Sequence, residues 1–518
     1  MIPFDPSGAF RPGSEGHELR RLAVRGAAAT VSASAFALAI QLISTVMLAR
    51  LLTPTDFGVV TMVTTFSLLL VSFGLNGFTD AVIQFEAIDQ FTASNLFWLN
   101  SGAALVLAIV FAAAGSLLAR FYGNPLVTNV AAGLSVGIFI ASLSVIHQAL
   151  IKRAMYFTAT SANDVIGRAV NTVISILFAL RGWGYWALVA GIVAQQLSVT
   201  IGAFWLCRWV PSLPRRTGNT GEAIRFAAKV YGRFCLGYST QNIDNLLVGW
   251  RFNAMALGFY KKAYDLFALS GSQLIAPLHN VALASLSKLN RDPVRFRRYL
   301  VNALGIIAFV GMAVSADLTL VGKDVVRLVL GPQWSKSSRI FELFGPGIGV
   351  MLLNGSIGWI HLSLGKPGRW FRWSLVELAV TVLLFGVALP WGPEGIAAAW
   401  SISYWVLLIP AFWYAGRPVE FGLSALINAI WRHVSAALLA GLASAAIIRD
   451  TPLRYSPPGA PAALWAIIID SVLFVTVYLG TSIVLHWGLE PLRQLASLLR
   501  ELGPAPKETE SAAEAVRS

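Results

Sequence analysis

The residues best suited to do chemistry in this chain are charges that fall inside long apolar runs. Arg168, Lys229, Arg233, Lys261 and Lys262 are cationic, and Asp164, Asp244, Asp265 and Glu377 are anionic. A charge at the centre of a bilayer costs about 2.5–3.5 kcal/mol on insertion scales, so such residues face a cavity, a partner or an interface. Asp164 with Arg168, and Lys261 with Asp265, are spaced to meet on one helix face. Each pair reads either as an internal ion pair fixing helix register or as part of a polar cavity wall. Asp164, Lys229, Lys261 and Lys262 also fit a third reading, in which they snorkel to an interface. Arg168 and Arg233 are harder to place at a surface. They leave a net positive cavity, and a guanidinium offers a planar fork of donors that matches phosphate oxygens. The chemistry expected is recognition of an anion such as a diphosphate.

Glu377 stands alone among apolar residues. It is a candidate coupling-ion site, for a proton or a cation, with a water-facing or arginine-paired structural role as the alternative. Polar stripes extend the candidate set. Thr30, Ser34, Gln41 and Thr45 share one face of a first helix, and Thr61, Thr65, Ser72 and Asn76 share one face of a second. Lys229, Arg233, Thr240 and Asp244, then Lys261, Asp265, Ser272 and His279, form stripes of similar spacing later in the chain. The candidate substrate-binding residues are Arg233, Arg168, Lys229, Asp244, Lys261, Asp265, Gln41 and Asn76. The stripes also mark an internal duplication. Arg25 and Arg225 each precede a helix, and Gly58 and Gly258 each open one, at an offset of about 200 residues. Chance recurrence of Ser and Thr is the bland alternative. Repeated halves with a site between them are a common transporter plan.

These residues need membrane helices to position them. Of 518 residues, 56% are hydrophobic and 12% charged, and the mean hydropathy is +0.67. That charge is too sparse to cover a soluble surface of this size. Apolar segments near 27–49, 58–79, 93–118, 127–148, 163–181, 186–207, 226–249, 257–285, 299–321, 340–364, 371–390, 394–414, 431–448 and 462–486 are each of spanning length. The expected fold is an all-α integral membrane protein of about 14 transmembrane helices in two related halves. The expected division is a cytoplasmic segment at 1–19, an N-lobe at 20–209, a linker at 210–222, a C-lobe at 223–415, the helix pair at 416–487 and a cytoplasmic tail at 488–518.

Roughly 25 basic residues fall on the inside of this topology against roughly 10 outside, which points to both termini in the cytoplasm. The exceptions are Lys323, Arg327 and Lys336 in one outer loop, and Arg449 and Arg454 in another. Basic loops facing anionic lipid account for the net charge of +14 without a nucleic-acid partner. The polar start before Ala27 is not a signal peptide. Cys207 and Cys235 suggest neither a disulfide framework nor a metal site. Pro277 and the Gly345-Pro346-Gly347 run are candidate helix breaks. No glycine-rich nucleotide loop, soluble acid/base constellation or metal-ligand cluster is present, so neither a catalytic centre nor a cofactor is expected.

The run from Leu48 through Ala49, Arg50, Leu51, Leu52, Thr53, Pro54, Thr55, Asp56, Phe57 and Gly58 to Val60 resembles the signature of polysaccharide transporters. These are the Wzx-type lipid-linked oligosaccharide flippases of the multidrug/oligosaccharidyl-lipid/polysaccharide exporter superfamily. Asp244 with Gly249, the segment Leu257-Gly258-Phe259-Tyr260 with Ala263-Tyr264, and Pro277 through Leu286-Ser287 extend the likeness, from about Arg20 to Trp487. The branch it resembles most exports exopolysaccharide repeat units of the colanic-acid type. The resemblance implies two pseudo-symmetric six-helix lobes plus a C-terminal helix pair, and an undecaprenyl-diphosphate-linked oligosaccharide as substrate, moved from the cytoplasmic to the periplasmic leaflet; alternating access is the mechanism expected of such repeated lobes. It also implies membrane lipid, and a polymerase and chain-length regulator of the same pathway, as partners. The alternatives are a drug or organic-cation antiporter of the same superfamily and a peptidoglycan lipid-precursor flippase. An arginine- and lysine-rich cavity suits the antiporter poorly.

Overall fold

A computed structural model describes residues 1–10, 17–73, 77–85, 88–215, 220–450, 460–488 and 493, without the side chains at 17–29, 220, 233, 271–281, 284, 367, 450 and 460. Asn76 and the tail after Leu502 lie outside the described residues, as do the side chains of Arg233, Pro277 and His279. The helices in chain order begin with α1 (His17–Leu51), α2 (Pro54–Phe73), α3 (Thr79–Gln84), α4 (Gln90–Tyr122), α5 (Leu126–Arg153), α6 (Phe157–Leu180), α7 (Tyr185–Leu206) and α8 (Thr220–Arg251). They continue as α9 (Ala254–Lys288), α10 (Pro293–Val329), α11 (Ser335–Gly355), α12 (Ile357–Ser363), α13 (Pro367–Ala388), α14 (Gly392–Gly416), α15 (Leu423–Asp450) and α16 (Ala460–His486).

The protein is an all-α, multi-pass membrane protein. Among the described residues, 11 helical stretches are long and apolar enough to cross a membrane. One of them, Gly368–Val419, takes in both α13 and α14. Helices α8 and α9 are long enough, at 32 and 35 residues, but are not among the 11. The fully described residues exclude 233 from α8 and 271–281 from α9, and the described part of α8 also carries Lys229, Asp244 and Arg251. The 11 stretches among the described residues therefore do not fix the expected count of about 14 spans. Neither candidate break ends its helix. The backbone of α9 runs through Pro277 and that of α11 through Pro346. The interruption falls later, at Ser356, where α11 ends and α12 begins.

The start of α2 shows why the Thr53–Gly58 run has its sequence. Thr53 Oγ1 accepts from the Asp56 N–H at 3.3 Å, and Asp56 Oδ2 accepts from the Thr53 N–H at 2.9 Å and from its hydroxyl at 2.6 Å. This reciprocal capping box satisfies backbone donors that the helix leaves open. Pro54 occupies the first helical position, where no N–H is needed. The duplicate start, at α9, uses Asn253, whose Oδ1 accepts from the Ala256 N–H at 3.0 Å. The two starts cross. A Cβ on Gly58 would lie 1.7 Å from the Ala254 carbonyl oxygen, and one on Gly258 would lie 1.8 Å from the Pro54 carbonyl oxygen. Each glycine is packed on the first residue of the other helix, so only a hydrogen fits. Trp334 is fully buried beside this crossing. Its ring lies 5.5 Å from Phe57 and 5.9 Å from Phe259, and its Nε1 donates to the Ala49 carbonyl at 2.8 Å.

By packing, the chain divides into two compact units. The first comprises Met1–Ala263, Val329–Ser337 and Phe385–Ile396, and the second Tyr264–Leu328, Ser338–Leu384 and Ala397–Ser518. In the first, Phe4, Phe78, Phe97, Ile146 and Trp209 form a core with Ala223 and Ala227 of α8. Residues 212–215, within the expected linker, are fastened to α4. The Arg215 N–H donates to Asn95 Oδ1 at 2.9 Å, Trp98 Nε1 donates to the Ser212 carbonyl at 2.9 Å, and the Arg215 guanidinium lies over Phe91. In the second unit, Phe296, Leu300, Trp359, Phe412, Phe474 and Tyr478 build the core.

Candidate functional site

A cavity of about 240 Å³ lies within the first unit, among α1, α2, α6, α7 and the start of α9. Helix α1 contributes Gln41, Ser44 and Thr45. Helix α2 contributes Phe57, Thr61 and Thr64. Helix α6 contributes Arg168, Asn171 and Thr172, α7 contributes Gln195, and α9 contributes Lys262. None of the lining residues is acidic.

Local bonding fixes what these groups can offer. The hydroxyls of Thr61 and Thr172 donate back to their own helices, to the Phe57 and Arg168 carbonyls at 2.7 and 3.0 Å. Their oxygens then face the cavity as acceptors only. Asn171 Nδ2 donates to Gln195 Oε1 at 2.7 Å, while Asn171 Oδ1 accepts from Ser175 Oγ at 3.2 Å. With its carbonyl end engaged, Gln195 keeps its amide N–H groups as donors. Lys262 is 8% exposed, with its Nζ 4.0 Å from the centre of the Phe57 ring. A cation over an aromatic face in a dry setting gains roughly 2 kcal/mol, which helps to offset burial of the ammonium. The cavity thus presents one guanidinium, one ammonium and neutral amides, and no carboxylate is among its lining residues.

Several of the expected residues come together here. Gln41 and Arg168 both line the cavity, joined by Thr45 and Thr61 from the stripes and by Asn171. Others do not. Lys229 is exposed on α8 and is not among the lining residues. Asp244 is fully buried, and its carboxylate accepts from Tyr260 Oη at 2.7 Å and from the Asn245 N–H at 2.7 Å. It joins α8 to α9 and does not face the cavity. Lys261 and Asp265 are half-buried on α9, outside the lining set. Arg233 lies on α8, with its side chain outside the described residues. Glu377 lines a different, smaller cavity in the second unit. Lys262 was open to a reading as a snorkelling residue, but it is buried in the cavity wall. Gln195 was missed, although Gln195-Gln196 is a polar pair in an otherwise apolar helix.

Comparison with known proteins gives a consistent result. A family model described as polysaccharide biosynthesis protein matches residues 47–339. The succinoglycan biosynthesis transport protein ExoT of Rhizobium meliloti (strain 1021) is 20% identical over 342 residues, 66% of this chain and 69% of that protein. The teichuronic acid biosynthesis protein TuaB of Bacillus subtilis (strain 168) is 22% identical over 363 residues, 69% of this chain and 74% of that protein. The lipopolysaccharide biosynthesis protein WzxC of Escherichia coli (strain K12) is 21% identical over 334 residues, 63% of this chain and 66% of that protein. Among solved structures, the lipid II flippase MurJ in an inward closed conformation matches with a TM-score of 0.72 at 14% identity, covering 88% of this chain and 98% of that one. An inward-facing multidrug resistance MATE family transporter matches with a TM-score of 0.57 at 14% identity, covering 75% of this chain and 95% of that one. At such identity the two structures speak to the fold alone.

Proposed function

The chain belongs to the polysaccharide biosynthesis protein family, and from that premise we propose that it is a flippase for a diphosphate-linked oligosaccharide lipid. The substrate is an undecaprenyl-diphosphate-linked repeat unit, and the membrane is the bacterial inner membrane. The observation that supports this reading is the acid-free cavity holding Arg168 and Lys262. A diphosphate carries its negative charge on oxygens alone, which suits a guanidinium fork, an ammonium and amide N–H donors. The same lining disfavours an organic cation, which would need a carboxylate or an aromatic cage. The diphosphate head enters the cavity while the lipid tail trails in the bilayer, and alternating access moves the head to the other leaflet. The protein catalyses no bond making or breaking. A polymerase and a chain-length regulator of the same pathway take up the translocated unit.

Deleting the gene tests this reading. Export of one surface or secreted polysaccharide should stop, and lipid-linked repeat units should accumulate on the inner leaflet. Normal polymer with a loss of resistance to cationic drugs would instead select the antiporter. The proposed orientation has both termini in the cytoplasm, from the inside excess of basic residues. A reporter fused after Ser518 should be active in its cytoplasmic form, and a periplasmic signal there would overturn the topology.

A further inference from the structure

A chain of hydrogen bonds leads out of the first unit's cavity, between α6 and α7. Ser175 Oγ donates to Asn171 Oδ1 at 3.2 Å, and Asn171 Nδ2 donates to Gln195 Oε1 at 2.7 Å. Asn171 and Gln195 line the cavity. Ser175, one turn further along α6, is fully buried and is not among the lining residues. We propose that Ser175 and Asn171 are positioning residues that fix which end of the Gln195 amide faces the cavity, so that Gln195 gives N–H donors to a phosphate oxygen of the substrate. That role rests on the diphosphate reading of the same cavity and makes Gln195 a specificity-determining residue within it.

The direction of the chain follows from counting donors. A primary amide accepts at one end and donates at the other. With the Ser175 hydroxyl given to Asn171 Oδ1, only the Nδ2 end of Asn171 is left to face α7, and it needs an oxygen there. Gln195 supplies Oε1 and so keeps both Nε2 hydrogens for the cavity. Turning Gln195 alone would set two NH2 groups against each other. A diphosphate offers acceptor oxygens, so this is the polarity that suits it. The chain is not needed to hold α6 on α7, because Asn163, nearer the start of α6, already does so. Asn163 is buried, and its Nδ2 donates to the Val199 carbonyl of α7 at 2.9 Å. Each of these asparagines has a glycine opposite it on α7. A Cβ on Gly202 would collide with Asn163 Oδ1, and one on Gly191 would collide with Ser175 Oγ and crowd Asn171 Oδ1. The interface keeps room for both amides, yet one ends on backbone and the other on a side chain that reaches the cavity. In a low-dielectric setting such a chain holds its direction while every member is paired.

A double-mutant cycle tests the positioning role. The purified full chain in lipid nanodiscs is titrated with a polyprenyl diphosphate. Gln195→Ala should weaken binding about 3- to 10-fold. Ser175→Ala, although outside the cavity, should weaken it about threefold, because the two amides are then free to turn. Ser175→Cys keeps a weak donor at similar size and should recover part of that loss. In the Gln195→Ala background Ser175→Ala should cost nothing further, since Ser175 acts only through Gln195. Thermal stability without ligand is followed in parallel. It should fall in Asn163→Ala, which binds the diphosphate normally once folded, and hold in Gln195→Ala. Additive losses in the double variant, or wild-type affinity in either single variant, would overturn the positioning role. Arg168→Ala, titrated alongside, keeps the two failures apart. If Arg168→Ala binds weakly while the Gln195 and Ser175 variants match wild type, the positioning role alone falls. If the wild-type protein does not bind the diphosphate, the reading of the cavity falls and this role with it.

Discussion

Gly58→Ala and Gly258→Ala are each expected to disable the protein, although both are among the mildest substitutions available. The added methyl would sit 1.7 Å from the Ala254 carbonyl oxygen in one case and 1.8 Å from the Pro54 carbonyl oxygen in the other. Both obstacles are backbone, so no rotamer change relieves them. The starts of α2 and α9 would have to part by more than an ångström. Overpacking commonly costs about 1–3 kcal/mol, and a clash with two fixed helix backbones belongs at or beyond the top of that range. Parting them would also draw Lys262, one turn beyond Gly258, away from the Phe57 ring it covers. Gly102 on α4 supplies the control, since a Cβ there meets nothing within 4 Å. Thermal stability and polysaccharide export should fall sharply in the Gly58 and Gly258 variants and hold in Gly102→Ala. Equal behaviour of all three would remove the crossing from the account.

The second large effect belongs to the cavity cations. Arg168→Ala and Lys262→Met each remove a charge-assisted contact, worth roughly 1.5–3 kcal/mol, or about 10- to 150-fold in affinity for a diphosphate head. Methionine keeps much of the lysine stem against Phe57, so packing is preserved while the charge is lost. Arg168→Lys should recover only part of the loss, because an ammonium cannot reproduce a bidentate fork. The two effects should not add, since both groups would share one ligand. Lys229→Ala, at an exposed position outside the cavity, should change affinity little. We propose Arg233 on α8 as a further substrate contact, so Arg233→Ala should lower export while the protein still reaches the membrane. Export and the amount of protein in the membrane are measured for each variant.

Much of this was legible in the sequence, and the reasons differ by element. The Thr53–Gly58 run could be read because its work is local: a cap, a first-position proline and a glycine within one turn of each other. The polar stripes on the first two helices could be read because period alone places Gln41, Thr45 and Thr61 on faces. Lys262 could not be settled in the same way. Its partner Phe57 is brought to it by the crossing of two helices that are distant in the chain. Asp244 gave the opposite difficulty. A buried acid suggests a functional site, but Tyr260 and the Asn245 N–H hold it as a packing element, and Tyr260 carries no visible sign of that role. The linker could be placed at 210–222, but what it packs on could not be read from its own residues. The groups that fasten Ser212 and Arg215 are Ser94, Asn95 and Trp98 on another helix. Hydropathy identified the membrane class readily, because long apolar runs recur along the whole chain.

The central claim is that the cavity of the first unit binds a diphosphate, and direct binding tests it most simply. The purified protein in lipid nanodiscs is titrated with a polyprenyl diphosphate, with the matching monophosphate and with a lipophilic organic cation. The account predicts saturable binding of the diphosphate, weaker binding of the monophosphate and none of the cation. It also predicts at least about a tenfold loss of diphosphate affinity in Arg168→Ala/Lys262→Met. Undiminished diphosphate binding in that double variant, or a preference of the wild-type protein for the cation, would contradict it.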